Sequence, residues 1–232
     1  MKGSLYVRLE SRRGETFIAD VSCAAPLKLA KPFRLNGMTE LMIMSATPGL
    51  MDGDEFRVRV DVGEGCRVRV TSQSYTKLYR SVGLGGARQT VEFSVADGAE
   101  LRWEPLPTMP FAGSVASFET IAEVAPSGRL LLADTLGCGR AAMGERFAFE
   151  RYESCTSVRV AGKLVYHDVC RLIPSEHDTC GLGFFEGFDW QHSGYSYGLE
   201  PPDNMDTPER VAASSEARMG HSFVSLSRFA LR

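Results

Sequence analysis

The sequence predicts an all-β protein, a single domain over residues 1–232, built as a β-helix-like stack of strand–turn–strand units. Three observations carry this reading. Apolar and polar residues alternate at period two through much of the chain, tight glycine turns interrupt the alternation at near-regular intervals, and helix signals are scarce.

The clearest strand is Phe56 to Val62, where Phe56, Val58, Val60 and Val62 alternate with Arg57, Arg59 and Asp61 and leave one apolar face. Gly63-Glu64-Gly65 turns the chain, and Cys66, Val68 and Val70 resume the pattern. Val91, Phe93 and Val95 lead to the turn Ala96-Asp97-Gly98, then to Leu101 and Trp103. Phe118 to Val124 leads to Pro126-Ser127-Gly128, then to Leu130 to Ala133. Val158 and Val160 lead to Ala161-Gly162, then to Leu164 and Tyr166. The turn glycines 65, 98, 128 and 162 stand 33, 30 and 34 residues apart, a weak internal repeat. Stacked repeats bury a continuous core between layers; periodicity alone leaves a sandwich of hairpins open. Two short helices are expected. Thr207-Pro208-Glu209-Arg210-Val211-Ala212-Ala213 has a capping hydroxyl, a proline at the first helical position and an early acid. Ser72 to Arg80 can form a helix or a turn, and residues 186–206, rich in Gly, Pro, Asp and Ser, read as strand ends and a surface loop.

Composition narrows the function classes. The chain is 44% hydrophobic and 24% charged, with a net charge of −3 and no long basic block, which argues against a dedicated nucleic-acid binder. Arg57, Arg59, Arg67 and Arg69 sit on alternate strand positions, a local basic stripe or simply a solvated face. No run approaches the roughly 18–20 apolar residues of a transmembrane helix, and Met1 to Thr16 has no signal-peptide core. A cytoplasmic location is expected. Six cysteines, at 23, 66, 138, 155, 170 and 180, form no Cys-x-x-Cys pair and are expected as buried small apolar residues.

The densest polar segment is Thr71-Ser72-Gln73-Ser74-Tyr75-Thr76-Lys77-Leu78-Tyr79-Arg80-Ser81, eleven residues with five Ser or Thr hydroxyls, two tyrosines, an amide, a lysine and an arginine. Burying such groups without partners costs about 1–3 kcal/mol each, so the segment is solvated, bonded internally or turned toward a ligand. Gly194-Tyr195-Ser196-Tyr197-Gly198 matches a nucleophile-elbow pattern, with Asp206 and His221 following in hydrolase order. The elbow needs a helix straight after the serine, and Pro201-Pro202 forbid one. Gly83-Leu84-Gly85-Gly86 lacks the ending of a phosphate-binding loop and reads as a loop. Asp52-Gly53-Asp54 follows Pro48-Gly49; its carboxylates can hold a cation or bond their own backbone, and the second is the default. In Gly139-Arg140-Ala141-Ala142-Met143-Gly144-Glu145, Arg140 and Glu145 flank small residues, which suits close packing around a polar pair.

Taken together, these segments resemble the urease accessory protein UreD family, called UreH in some organisms. The matching words are Pro26-Leu27-Lys28-Leu29-Ala30-Lys31-Pro32-Phe33, Pro48-Gly49 through Gly53-Asp54, Thr71 to Ser81, Gly98-Ala99-Glu100-Leu101-Arg102-Trp103 with Pro105, Pro107, Pro110 and Phe111, Gly139-Arg140 through Gly144-Glu145, and Gly183-Phe184-Phe185-Glu186-Gly187-Phe188. The resemblance implies a β-rich stack with about two α-helices and a non-enzymatic urease maturation factor. Its partners would be the urease structural subunits and accessory proteins F and G, the latter a nickel-carrying GTPase, and a dimer of the complex stays open. It also implies transient nickel(II) rather than a tightly bound cofactor, passing through an internal channel. On that reading Asp54 and Glu145 belong to the nickel path, and Thr71, Gln73 and Ser81 line or support it. Lys77 and Arg80 neutralise carboxylates or hold geometry, and Thr76 and Arg140 complete the binding set. Carboxylates, hydroxyls and water suit passage better than thiolates, which hold nickel tightly. A pure adaptor without a metal path is the alternative. Two departures are visible: Asp52 stands where the family loop usually has glycine, and the sequence ends at Phe229-Ala230-Leu231-Arg232 where longer members continue.

Overall fold

The computed structural model describes residues 1–199, 211–219 and 221–229. In chain order the strands are β1 (Lys2–Arg12), β2 (Glu15–Ala24), β3 (Leu27–Leu29), β4 (Phe33–Leu35), β5 (Met38–Ser45), β6 (Glu55–Val62), β7 (Arg67–Ser72), β8 (Thr76–Leu78), β9 (Ala87–Val95), β10 (Glu100–Trp103), β11 (Thr108–Pro110), β12 (Val115–Val124), β13 (Arg129–Gly137), β14 (Arg151–Val160), β15 (Lys163–Leu172), β16 (Trp190–Tyr197), β17 (Val211–Met219) and β18 (Ser222–Phe229). They form two sheets. One has the order β15-β14-β12-β9-β6-β1-β2; the other runs β17-β18-β16-β13-β10-β7-β5-β3, with β4, β8 and β11 attached at its margin.

The chain alternates between the sheets as a coil. It runs β6 to β7, β9 to β10 and β12 to β13, so β6, β9, β12 and β14 lie parallel in one sheet and β5, β7, β10 and β13 in the other. The crossings are the predicted glycine turns at 65, 98 and 128, closed by Cys66 N–H to Gly63 O (3.2 Å), Ala99 N–H to Ala96 O (3.2 Å) and Gly128 N–H to Ala125 O (2.9 Å). The stacked arrangement is therefore present, in place of a sandwich of hairpins. The fourth unit differs. Ala161-Gly162 joins β14 to β15 as an antiparallel hairpin within one sheet, with both turn residues at positive φ (49° and 76°), as a two-residue hairpin turn needs.

In-register pairing turns the period-two pattern into rungs. Val58 lies beside Val91, Val91 beside Thr120, and Thr120 beside Thr156; on the other sheet Val70, Trp103 and Leu132 make one rung. Val58, Val60, Val62, Val68, Val70, Phe93, Val95, Leu101, Val124 and Leu130 are buried in one continuous core. Fully burying such a side chain contributes about 1.5–3 kcal/mol, so this face-to-face packing holds the two sheets together.

The helix expectations need correction. Among the described residues the only helical element is a three-residue 3-10 turn, Ala141–Met143. Gln73 N–H bonds to Ile43 O (2.9 Å) and Thr76 N–H to Pro107 O (3.0 Å), so neighbouring strands take the donors a helix at Ser72–Arg80 would have used. Of Thr207–Ala213, residues 207–210 lie outside the described residues, and Val211 opens β17. Within the 186–206 segment, Trp190–Tyr197 is a strand in the second sheet, as its aromatic content favours. The cysteines depart from uniform burial: Cys66 and Cys138 are buried, Cys155 and Cys170 are half-buried, and Cys23 and Cys180 are exposed. No helix among the described residues is long and apolar enough to cross a membrane.

Candidate functional site

The interior is not uniformly apolar. Along the first sheet the inward rungs change character from the centre to the β15 edge. Phe56 and Gln89 are followed by Phe118, Ser154 and Cys170, and Val58 and Val91 by Thr120, Thr156 and Asp168. Across the interior, Tyr195 pairs with Leu132, and Ser193 with Asp134, on the second sheet. Polar groups on facing walls keep the sheets from closing fully, and a seam of clefts lies between them.

The central cleft encloses about 770 Å³, mouth included, and is lined by hydroxyls of Thr76, Thr120, Ser154, Thr156 and Ser193 and by Asp134 and Asp168. A second cleft of about 680 Å³ shares Thr76, Gln89, Trp103 and Pro105 with it and extends along Ser72, Gln73, Ser74 and Tyr75 to Gly49 and Leu50. A third of about 1090 Å³ shares Asp134, Ser154, Tyr166, Asp168 and Ser193 and extends to Tyr152, Cys170 and Gln191. The shared walls make one polar seam. Among the described residues no lysine or arginine lines the first two clefts; Arg171 lines the third.

Its walls are tied in place. Tyr166 stacks on Tyr195 with ring centroids 4.2 Å apart, and Tyr195 Oη and Ser222 Oγ lie 3.0 Å apart. Tyr152 Oη donates to Asp134 Oδ2 at 3.4 Å. Burial pushes the Asp134 carboxyl above the usual range, with the nearby Asp168 adding to the effect, while Thr135 N–H and Tyr152 pull it back. Burial likewise raises Tyr166 and takes the Cys170 thiol to about 11. Beside the seam, Thr135 Oγ1 lies 2.7 Å from His192 Nδ1, and burial lowers that imidazole to about 4, so it is neutral at pH 7. Carboxylate, phenol and hydroxyl oxygens of this kind suit a hydrated divalent cation better than thiolate ligands would. Among the described residues no group of three or more His, Cys, Asp and Glu is placed to hold a metal ion.

The structure divides the sequence-predicted residues. Gln73 and Thr76 line the seam. Thr71, next to last in β7, is half-buried beside Met42, and Lys77 in β8 accepts Leu50 N–H through its carbonyl at 2.8 Å. Arg80 bridges to Ser114, and Ser81 Oγ accepts from Val115 N–H at 3.1 Å. Asp54 is buried and accepts from the Met1 amine (2.6 Å) and from Met51 N–H (2.9 Å). Glu145 accepts from Arg140 Nε at 2.8 Å, and the guanidinium carbon sits 4.4 Å from the centre of the Phe111 ring. Neither Asp54 nor Glu145 lines the described clefts.

Asp52 takes the default reading of its loop: it accepts N–H from Val82 (2.7 Å), Leu84 (2.8 Å) and Gly86 (2.7 Å), which fixes the Gly83–Gly86 loop. Ser196 lies inside β16 with Oγ donating to Leu199 O at 3.2 Å, so the strand runs through it and no elbow forms; Asp206 lies outside the described residues. Sequence reasoning missed Gln89, Thr120, Asp134, Ser154, Thr156, Tyr166, Asp168 and Ser193. Each carried a signal, because it falls in step at period two with inward apolar residues of its strand, as Gln89 does with Val91 and Phe93, Asp134 with Leu130 and Leu132, and Ser193 with Tyr195.

Comparison with known proteins identifies the family. The family model described as UreD urease accessory protein matches residues 1–230. The urease accessory protein UreD of Acetivibrio thermocellus is 38% identical over 191 residues, 82% of this chain and 72% of that protein. UreD of Deinococcus radiodurans is 35% identical over 193 residues, 83% of this chain and 69% of its own length. UreH of Helicobacter pylori is 31% identical over 176 residues, 75% of this chain and 66% of that protein. The chain belongs to the UreD family of urease accessory proteins, and its role lies in urease maturation.

Proposed function

We propose that this chain is a non-enzymatic scaffold that joins the urease apoprotein to accessory proteins F and G, and that hydrated nickel(II) moves along the polar seam between its sheets toward the enzyme. The observation that carries the reading is the continuity of the seam from Gln73 and Thr76 through Asp134 and Asp168, walled by oxygen donors. An ion needs enough attraction to enter and too little to be trapped. Carboxylates spaced among hydroxyls and water meet both needs. Family membership supports the partners, and the soluble complex would assemble in the cytoplasm.

The test is urease activation in a purified system, with partner binding measured in parallel. Asp168→Ala and Thr120→Val with Thr156→Val are expected to lower nickel loading several-fold while binding to the partners persists. Full loading in these variants rejects the seam as a route and leaves the adaptor reading. Asp54→Ala and Glu145→Ala enter the same assay. A loss with binding kept extends the path to those carboxylates; unchanged loading leaves them as loop anchors.

A further inference from the structure

The outer face of the second sheet carries a second built feature, unconnected with the seam. Glu100 on β10 lies in register between Arg67 on β7 and Arg129 on β13, and Arg102 follows two residues along the same face, beside Arg69. The Glu100 carboxylate, 1% exposed, accepts from Arg67 Nε at 3.3 Å and from Arg102 Nε at 2.9 Å, and an Arg129 terminal nitrogen lies 3.2 Å away. Arg69 pairs with Glu104 and, at 3.4 Å, with Glu40, which is 4% exposed.

Four guanidinium groups thus stand over three carboxylates, and their heights differ. The arginine side chains are 31–47% exposed, while Glu40 and Glu100 are sealed beneath them. Solvent therefore meets mainly cations, with Glu40 and Glu100 underneath and Glu104, 25% exposed, sharing the surface. A single carboxylate accepts far fewer hydrogen bonds than three guanidinium groups donate, so donors remain free on the outward side. The array is also already ordered, and a partner does not have to freeze long side chains on docking. None of these residues lines the described clefts. A cationic face that lies outside the described clefts suits a protein surface rather than a small ligand.

We infer that the Arg67–Arg69–Arg102–Arg129 face is a docking surface for a carboxylate-rich surface of a protein partner, an inference that rests on the scaffold reading above. The four arginines act together, so the contact is steered by charge and weakened by salt.

The experiment uses the full chain with purified urease apoprotein, accessory protein F and accessory protein G, each titrated separately between about 50 and 300 mM salt. Arg67→Gln and Arg129→Gln each leave Glu100 two arginine partners, so the fold is expected to survive; thermal unfolding checks this. Wild type is expected to bind one of the three with an affinity that falls as salt rises. Each glutamine variant should weaken that binding by about 5–10-fold and flatten its salt dependence, and Arg129→Lys should recover part of the loss. Folded variants with unchanged affinity and salt dependence overturn the inference while leaving the scaffold reading intact. Loss of inorganic phosphate binding alone, with protein binding unchanged, also overturns it. Wild type that binds none of the three partners overturns both.

Discussion

Asp52 shows how much one carboxylate can organise. Its two oxygens gather three backbone N–H groups from residues 82, 84 and 86, and those bonds hold its carboxyl below the usual range. Val82 and Leu84 on that loop are largely exposed, so little else restrains it. Asp52→Ala is expected to speed amide exchange at Val82, Leu84 and Gly86 by tenfold or more, with the core unaffected. Because the folded-state value is depressed, the anchoring is complete above the unfolded value of 3.8 and fades as pH falls through the lower folded value. Exchange measured across acid pH should show this loop loosening. Asp134 has the opposite sign. Burial raises it, so the folded state binds a proton more readily than the unfolded one, and the group's contribution to stability declines as pH rises above 3.8. Asp134→Asn removes that decline, and its unfolding midpoint at pH 7 should exceed that of wild type.

The elements explain why certain glycines cannot be replaced and why one alanine can be. A Cβ at Gly49 would lie 2.3 Å from Lys77 O, at the point where Leu50 N–H bonds to that same carbonyl. At Gly86, with φ of 88°, it would lie 2.6 Å from Val115. Alanine at either position is expected to cost about 1–3 kcal/mol in denaturant unfolding, through displaced backbone rather than lost contacts. Ala161 is the reverse case. It occupies the first position of the β14–β15 turn at φ of 49°, a conformation that asparagine tolerates better than alanine. Ala161→Asn should stabilise the hairpin by about 0.5 kcal/mol, read from the same unfolding curves. In the core, Leu101 is fully buried between the sheets, and Leu101→Ala should cost about 2–5 kcal/mol.

At the scale of the whole molecule, the turns at Gly65, Gly98 and Gly128 and the alternation around them make the stack legible in the sequence, because each coil repeats the same local chemistry. The turn at Gly162 has the same sequence character, yet it closes a hairpin. What separates the two outcomes is the length of the turn: four residues connect β6 to β7, β9 to β10 and β12 to β13, whereas only Ala161 and Gly162 connect β14 to β15, which folds back as a hairpin. The site divided similarly. Gln73 and Thr76 were visible as polar residues in a strand-like run, but Thr71, Lys77, Arg80 and Ser81 looked the same and lie off the described clefts. Asp134 and Tyr166 also alternate in step with core residues, but that they share one cleft depends on how the two sheets face each other, which neither strand encodes alone. The graded rungs also predict a graded response. Thr120→Val with Thr156→Val replaces two hydroxyls by methyls of similar size, so the protein should be as stable as wild type or more stable, in contrast to its expected loss in nickel loading.

The short crossings between coils leave no slack. Removing one residue from β9 would turn Val91, Phe93 and Val95 outward, and both β6 and β12 are locked to it in register along its length. Neither neighbour can slide to absorb the error without unseating its own partners. Length changes within this lineage should therefore be confined to the connections after β7, β10 and β13, while the paired segments keep a fixed number of residues.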